Sequence, residues 1–361
     1  MVIQFQHIGG KCPVGLGMTM KGAGDDEWPI ESAMTMKGPG MTIMRLNFRG
    51  VCMSNADDLI SGIYFNLIFI MKRILILAAV LAISVAASAQ PGRWADMSRV
   101  VTDTLHSEIL GADREFRVFT PQNYKSSGKS YPVLYLLHGL GGKHTDWSER
   151  GHLKDVMDQL TASGEACDMI IVMPNAGSTT EKAMDGYFNV EGWAYEDFFF
   201  KELIPYVEKN WRVKADKGHR ALAGLSMGGG GTTKYAQHHP DMFCAAYAMS
   251  ALMSIPGQGA VQPQRPGDKV SVLNTSVIEN SCIDFVKNAD DATTEALRTV
   301  SWFVDCGDDD FLLDRNIEFV QAMKAARIPL QFRVRDGGHT WEYWHSALYT
   351  ALPFISRSFD D

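Results

Sequence analysis

The stretch from Arg220 to Tyr235 constrains the fold of this chain more than any other. Arg220-Ala221-Leu222-Ala223 is a short apolar run suited to a buried strand, and Gly224-Leu225-Ser226-Met227-Gly228 follows it directly. The run Gly228-Gly229-Gly230-Gly231, continued by Thr232-Thr233-Lys234-Tyr235-Ala236, suits a turn running into a helix. G-x-S-x-G between a strand and a helix is the pattern of a nucleophile elbow, where a serine holds a strained backbone conformation and lifts its hydroxyl out of the sheet. Glycines two residues to either side leave room for strand and helix to approach closely. A bare G-x-S-x-G also arises by chance in unrelated chains, so its weight here rests on these flanks and on partners further along.

Those partners occur in the order serine, acid, histidine expected of an open α/β sheet carrying such an elbow. Val300-Ser301-Trp302-Phe303-Val304-Asp305-Cys306-Gly307 reads as an apolar strand ending in a turn, and it opens onto Asp308-Asp309-Asp310-Phe311-Leu312. Leu330-Gln331-Phe332-Arg333-Val334-Arg335 alternates like an edge-side strand and ends in Asp336-Gly337-Gly338-His339-Thr340-Trp341. An acidic cluster and a histidine thus lie just past the C-terminal ends of strands, where ligands and reactive groups gather in such sheets. In this arrangement Ser226 is the expected nucleophile and His339 the base that takes its proton. An aspartate holds the imidazole in the correct tautomer and stabilises its charged form.

Earlier, Tyr131-Pro132-Val133-Leu134-Tyr135-Leu136-Leu137 is a strong buried-strand signal that runs into His138-Gly139-Leu140-Gly141-Gly142. An H-G-x-G-G turn is a usual source of one oxyanion-hole N–H, and the residue after the nucleophile supplies the other. The expected donors are therefore the backbones of Leu140 and Met227. His138 precedes a tight glycine turn and has no acid at a fixed spacing, so it reads as structural. His219, His238 and His239 have no motif around them and read as surface or structural.

Taken together, these residues resemble the esterase D branch of the α/β-hydrolases. That branch includes feruloyl and acetyl xylan esterases, tributyrin-type esterases, S-formylglutathione hydrolases and, more distantly, mycolyltransferases. The matching pieces are Leu136-Leu137-His138-Gly139, Ala223-Gly224-Leu225-Ser226-Met227-Gly228-Gly229, Asp305-Cys306-Gly307 with Asp310-Phe311-Leu312, and Gly337-Gly338-His339-Thr340-Trp341. Tyr195-Glu196-Asp197 and Lys201–Glu208 resemble the helix that precedes the nucleophile strand. The resemblance covers about residues 98–357. It implies an α/β-hydrolase fold, a mostly parallel central sheet with helices on both faces, and a serine esterase with no cofactor and no metal. The branch places its acid directly before Phe-Leu, which selects Asp310 over Asp308 and Asp309. An acyltransferase of the same fold and a non-catalytic carbohydrate-binding protein remain the alternatives. A complete triad argues against the pure binder, because a binder has no need of an activated serine.

Composition agrees. With 361 residues, 46% hydrophobic and 21% charged, the chain can bury a large core. The formal charge of −8, without a lysine or arginine cluster, argues against a nucleic-acid partner. The sequence contains no Walker-type loop, no H-E-x-x-H and no paired C-x-x-C.

The first 89 residues read differently. Met71-Lys72-Arg73 begins a charged segment, Ile74 to Val85 is an apolar core, and Ala87-Ser88-Ala89 before Gln90 is an A-x-A cleavage site. Residues 71–89 are thus expected to be a secretory signal peptide, with the natural start at Met71 and residues 1–70 a spurious or disordered extension. Met18-Thr19-Met20-Lys21-Gly22 recurs as Met34-Thr35-Met36-Lys37-Gly38 without apolar periodicity around it. The rival reading is a membrane anchor made of the apolar 59–70 and the signal core, but Lys72-Arg73 interrupts it and the small-residue site favours cleavage. The mature chain would then be exported, periplasmic or extracellular, without stable membrane insertion. It would keep Cys167, Cys244, Cys282 and Cys306, for which no pairing is indicated.

Residues 90–361 read as one α/β domain. Strands are expected at 99–109, 115–120, 131–137, 169–173, 220–224, 243–249, 301–305 and 330–335, and helices at 152–163, 195–210, 227–238, 314–326 and 341–357. The weakly helical segment 253–299, between the strand after the nucleophile helix and the acid strand, is placed where a cap over the site is expected. Trp341, two residues past His339, and Trp147, after the oxyanion turn, are candidate pocket walls, although aromatics at such positions are more often core. The expected substrate is a short acyl or aromatic ester of a sugar, bound as a small molecule or an oligosaccharide. Nothing in the sequence bears on oligomeric state.

Overall fold

In the computed structural model the chain divides into two units, Met1–Gln90 and Pro91–Asp361. Of the second unit it describes residues 96–178, 186–255 and 268–360; of the first, residues 4–6, 17–18, 34–35, 43–45 and 69–74. In the first unit Gln4–Gln6 pairs antiparallel with Ile43–Arg45, and Gly17–Met18 with Met34–Thr35. The expected signal core and its A-x-A site lie mostly outside the described residues, as does 256–267 within the expected cap. Among the described residues no helix is long and apolar enough to cross a membrane.

The second unit is built on an eight-stranded sheet. Its strands are β1 (Arg99–Ser107), β2 (Ala112–Thr120), β3 (Val133–Leu137), β4 (Ile170–Pro174), β5 (Arg220–Leu225), β6 (Ala245–Met249), β7 (Ser301–Gly307) and β8 (Gln331–Arg335). Their order across the sheet is β8-β7-β6-β5-β3-β4-β2-β1. From β4 to β8 every pairing is parallel; only β2 against β4 and β1 against β2 run antiparallel. Apart from single turns at Tyr124–Ser127 and Asp146–Glu149, the α-helices of this unit's described residues are α1 (Leu153–Ser163), α2 (Tyr195–Phe198, carried through a π-turn at Phe199–Leu203 into Ile204–Asn210), α3 (Met227–His238), α4 (Lys269–Glu279), α5 (Cys282–Lys287), α6 (Asp291–Leu297), α7 (Leu313–Ala325) and α8 (Trp341–Ser358). This is the α/β-hydrolase architecture.

The central strands are continuous apolar runs because both faces of the sheet are covered. The two-residue period of a strand sorts their side chains. Tyr135, Leu137 and Leu222 enter a core with Phe199 of α2, Tyr235 of α3 and Phe319 of α7. Leu134, Leu136, Ala221 and Ala223 enter the opposite core with Val156 and Leu160 of α1 and Leu348 and Ile355 of α8. The edge strand β8 is largely exposed, and its alternation of apolar and basic residues reflects that position.

Strand order reverses at β3: β4 lies on one side of it and β5 on the other. The crevice beyond the carboxyl ends of β3 and β5 is therefore the topological switch point, the default ligand site of an open α/β sheet. Ser226 follows β5 and the His138–Gly142 turn follows β3, so both face this crevice.

Candidate active site

Ser226 sits between β5 and α3 with φ 54° and ψ −118°. A non-glycine residue at positive φ is strained and is held there only by its surroundings. Here the backbone is fixed from both sides: Ser226 N donates to Met249 O (2.9 Å), and Ser226 O accepts from Leu252 N (2.9 Å) and Gly230 N (3.1 Å). The strain presents the hydroxyl at the head of α3, where the helix dipole favours negative charge.

Gly228–Gly231 lies inside α3, within the helix expected at 227–238, and no separate turn precedes it. Each glycine within a helix costs up to about 1 kcal/mol relative to alanine. Close packing accounts for the run. A Cβ on Gly228 would fall 2.5 Å from His138 O, and one on Gly230 would fall 2.4 Å from Leu252 O. Glycine therefore lets the first turns of α3 rest on the end of β3 and on the segment after β6. Likewise a Cβ on Gly139 would lie 3.4 Å from Ser226 Cβ, so the backbone entering Leu140 passes beside the serine. Gly142 N donates to Gly139 O (3.1 Å) and closes that turn.

His138 is buried and its two ring nitrogens are engaged. Nε2 accepts from Ala176 N (2.9 Å), which leaves Nδ1 as the donor to Gly139 O (2.7 Å). Tyr187 donates to His138 O (3.0 Å). His138 thus braces the glycine turn against neighbouring loops.

The other two sequence-named residues converge on Ser226. His339 Nε2 is 2.9 Å from Ser226 Oγ, and His339 Nδ1 is 2.9 Å from Asp310 Oδ2. Of the three consecutive aspartates only Asp310 reaches the imidazole. Its side chain is 0% exposed, whereas Asp308 and Asp309 lie at the surface. Burial alone would raise the Asp310 carboxyl, but hydrogen bonds from His339 and Leu312 N outweigh it and hold the group below its ordinary range. With the carboxylate ionised, His339 carries its proton on Nδ1 and leaves Nε2 free to accept from the serine.

Aromatic residues surround the imidazole. Trp344 meets it edge-on (centroids 4.9 Å apart, 88°), and Phe311, 70% exposed, leans on it at 4.6 Å. Trp341 is half-buried beside Trp344, with Arg150 over its ring at 4.8 Å. Trp147 is 1% exposed and donates from Nε1 to Leu137 O (3.0 Å). It backs Trp341 edge-on at 5.3 Å and presents almost no surface of its own.

A small apolar cavity adjoins the elbow. It is lined by Tyr187, Phe188, Met227, Leu252, and Leu273 and Val277 of α4. The expected cap thus supplies part of its wall. Tyr187 and Phe188 carried no sequence signal, although the glycine run pointed to a close neighbour along α3. Three further residues escaped sequence reasoning: Asn316, which clamps Ala251 through both N–H and C=O; Ser250, buried just past β6; and Asp305, buried in β7. An aspartate within an apolar strand does signal a buried pairing, but its partners cannot be read from spacing.

Among the described residues, Asp308, Asp309 and Asp336 alone form a group with metal-ligand spacing. All three are exposed, and the histidines and cysteines lie elsewhere. The four cysteines among the described residues are free, with Cys244, Cys282 and Cys306 buried.

The "Putative esterase" family model matches residues 107–355. A solved ferulic acid esterase is 61% identical, with a TM-score of 0.70 over 73% of this chain and 98% of its own. An endo-1,4-beta-xylanase/feruloyl esterase of Xylanibacter ruminicola is 38% identical over 144 residues, 39% of this chain; the match spans only a fifth (20%) of that longer protein. A diacylglycerol acyltransferase/mycolyltransferase of Mycobacterium leprae is 26% identical over 70% of this chain and 82% of its own. The chain belongs to this esterase family, a family of carboxylic ester hydrolases on the α/β-hydrolase fold.

Proposed function

We propose that the chain is a serine esterase acting on aromatic or short acyl esters of carbohydrates, with Ser226, His339 and Asp310 as its triad. The observation that carries this reading is the unbroken chain of hydrogen-bond distances from Ser226 Oγ through His339 to Asp310. Ser226 Oγ attacks the ester carbonyl as its proton passes to His339 Nε2. The N–H groups of Leu140 and Met227 take the charge that develops on the carbonyl oxygen. His339 then protonates the departing alcohol and leaves an acyl group on Ser226. Water attacks this acyl-enzyme, giving its proton to the same nitrogen, and the acid departs. Asp310 stays ionised throughout and steadies the imidazolium.

Beside Met227, the apolar side chains of Tyr187, Phe188, Leu273 and Val277 line a cavity with room for only about one water, so an acyl group of any size needs that wall to open. Trp341, half-buried against Trp344 two residues past His339, is read as a wall of the acyl pocket. The name of the 61% identical relative favours a feruloyl group. Residues 71–89 act as an export signal in this reading, and 90–361 as the mature enzyme.

Ser226→Ala is the deciding variant. It keeps the fold, loses fluorophosphonate labelling and drops p-nitrophenyl acetate turnover by orders of magnitude; undiminished hydrolysis overturns the assignment. A panel of methyl ferulate, acetylated xylan, tributyrin and S-formylglutathione, compared by kcat/KM, then ranks the acyl groups. Preference for S-formylglutathione defeats the substrate reading. An acyltransferase is the second reading, supported by the mycolyltransferase likeness over most of the chain. It differs only in what attacks the acyl-enzyme, so acylated sugar products formed with added acceptors distinguish it.

A further inference from the structure

Phe311, at 70%, is the most exposed large apolar side chain among the described residues, and it lies on the imidazole of His339 with ring centres 4.6 Å apart. Single apolar residues at a protein surface are ordinary. This one touches the base of the triad, so its open face looks onto the place a substrate must occupy.

The local chain holds it there. Asp310 and Leu312 on either side of it are buried. Leu312 N donates to Asp310 Oδ1 (2.9 Å) and Leu313 N to Asp310 O (2.9 Å), so the turn that aims the carboxylate at His339 leaves the intervening side chain outside. The imidazole already has an inner packing partner in Trp344, which is 6% exposed and meets it edge-on. What Phe311 adds is an aromatic face on the solvent side, tilted 49° to the imidazole.

The chemistry of the step assigns the occupant. In acylation His339 Nε2 gives its proton to the departing alcohol, whose oxygen must then lie about 3 Å from that nitrogen. The atoms beyond this oxygen fall within reach of a ring centred 4.6 Å from the imidazole centre. The acyl carbon, by contrast, is bonded to Ser226 Oγ, and the cavity on the Met227 side is walled by Tyr187, Phe188, Leu252, Leu273 and Val277 rather than by Phe311. A sugar ring carries an apolar C–H face with hydroxyls at its edge. An exposed phenyl suits the face and leaves the hydroxyls in water.

We propose that Phe311 is a specificity-determining residue of the alcohol side: its open face stacks on a sugar ring of the ester, next to the nitrogen that protonates the leaving hydroxyl. The inference rests on the triad and carbohydrate-ester reading above and deepens it by naming the side chain that meets the sugar.

Methyl ferulate and a feruloylated oligosaccharide share an acyl group and differ in the alcohol. Phe311→Ala, Phe311→Leu and Phe311→Tyr are compared with the parent enzyme on both. An exposed side chain contributes little to stability, so all three are expected to fold. Phe311→Ala should lower kcat/KM for the oligosaccharide ester about tenfold, through KM, as for loss of one apolar contact surface. The loss on methyl ferulate, whose single carbon covers little of the ring, should stay below about threefold. Phe311→Tyr should keep the parent's preference for the sugar ester and Phe311→Leu should lose it, because a flat face is what stacks. Release of ferulate from the preformed acyl-enzyme should keep its rate in Phe311→Ala, since the alcohol has left by then. Equal losses on the two esters, or slower release of ferulate, would show that Phe311 steadies His339 and overturn the proposal. A parent enzyme without preference for the oligosaccharide ester overturns it together with the carbohydrate reading. Full activity in Ser226→Ala overturns the triad on which both rest.

Discussion

Two carboxylates five residues apart, Asp305 and Asp310, are both buried at the end of β7, yet the fold uses them differently. Asp305 is saturated with partners. Tyr247 donates to Oδ2 (2.7 Å), Tyr343 donates to Oδ1 (2.6 Å), and the Arg333 guanidinium binds both oxygens. These contacts bind β6, β7, β8 and α8 to one charge. Asp310 has no guanidinium. Its donors are a backbone N–H and a histidine. The charge of Asp305 is balanced permanently, whereas that of Asp310 is left for a cation that exists only when His339 is protonated. Of these two buried acids, the one proposed for the triad is the one denied a permanent counter-ion.

The widest separation between them is in turnover. Asp310→Asn should lower kcat by about 10⁴-fold, since an amide favours the wrong imidazole tautomer, while the protein stays folded with only a modest loss of stability at neutral pH. A loss below tenfold would remove Asp310 from the triad. Arg333→Met does the reverse. It strands Asp305 as a buried charge and should cost about 3 kcal/mol of stability by urea unfolding, with turnover per folded molecule largely kept. Adding Asp305→Asn to Arg333→Met should restore most of that loss, because the uncompensated charge has gone. If the double variant is as unstable as the single one, Arg333 acts by packing.

How much of this contrast could be read in advance depends on the range of the contacts. The strands, the helices outside 253–299 and the residues Ser226 and His339 follow from apolar runs and short motifs, which are local. The α/β-hydrolase fold was legible for the same reason. The choice of Asp310 among three adjacent aspartates came from resemblance; no spacing rule separates them. The Asp305 network joins residues on three strands and a helix, from Tyr247 to Tyr343, and exists only once the sheet has its order. Ser250, at φ 45°, looked like any residue after a strand, because a positive φ leaves no mark when the residue is not glycine. The helix over Gly228–Gly231 was expected at 227–238, but the reason for four glycines in it was not legible, because glycine opposes helix locally while the packing that demands it is tertiary.

Acid should separate the two sites more gently. The folded Asp310 carboxyl is held below its ordinary value of 3.8. Its contribution to stability is therefore complete at pH above about 3.8 and fades as pH falls through the lowered value, where the folded state must also take up the proton. Asp310→Asn has no such proton to bind. Its stability should fall less steeply than the parent's below pH 4, measured by urea unfolding at fixed ionic strength. Parallel slopes would mean that Asp310 is not held low in the folded protein.

The smallest effects are expected at Asp308 and Asp309, the neighbours that share the sequence of Asp310 without its place. Both are exposed, and their carboxylates, with that of Asp336, lie within 4.8 Å of one another. Asp308 Oδ1 accepts from Gly337 N (3.0 Å), a bond that an asparagine carbonyl can also accept. Asp309 holds Gly337 through its backbone, N to O at 3.1 Å, which no side-chain change removes. Asp308→Asn and Asp309→Asn should therefore keep the turn that carries His339, and turnover should stay within about twofold, since solvated charges interact weakly. Each removes one of three crowded negative charges, so the thermal midpoint should rise slightly at low salt and the gain should vanish at high salt. A loss at Asp308 comparable to that of Asp310→Asn would break the comparison, because it would make a surface carboxylate answer for a buried one.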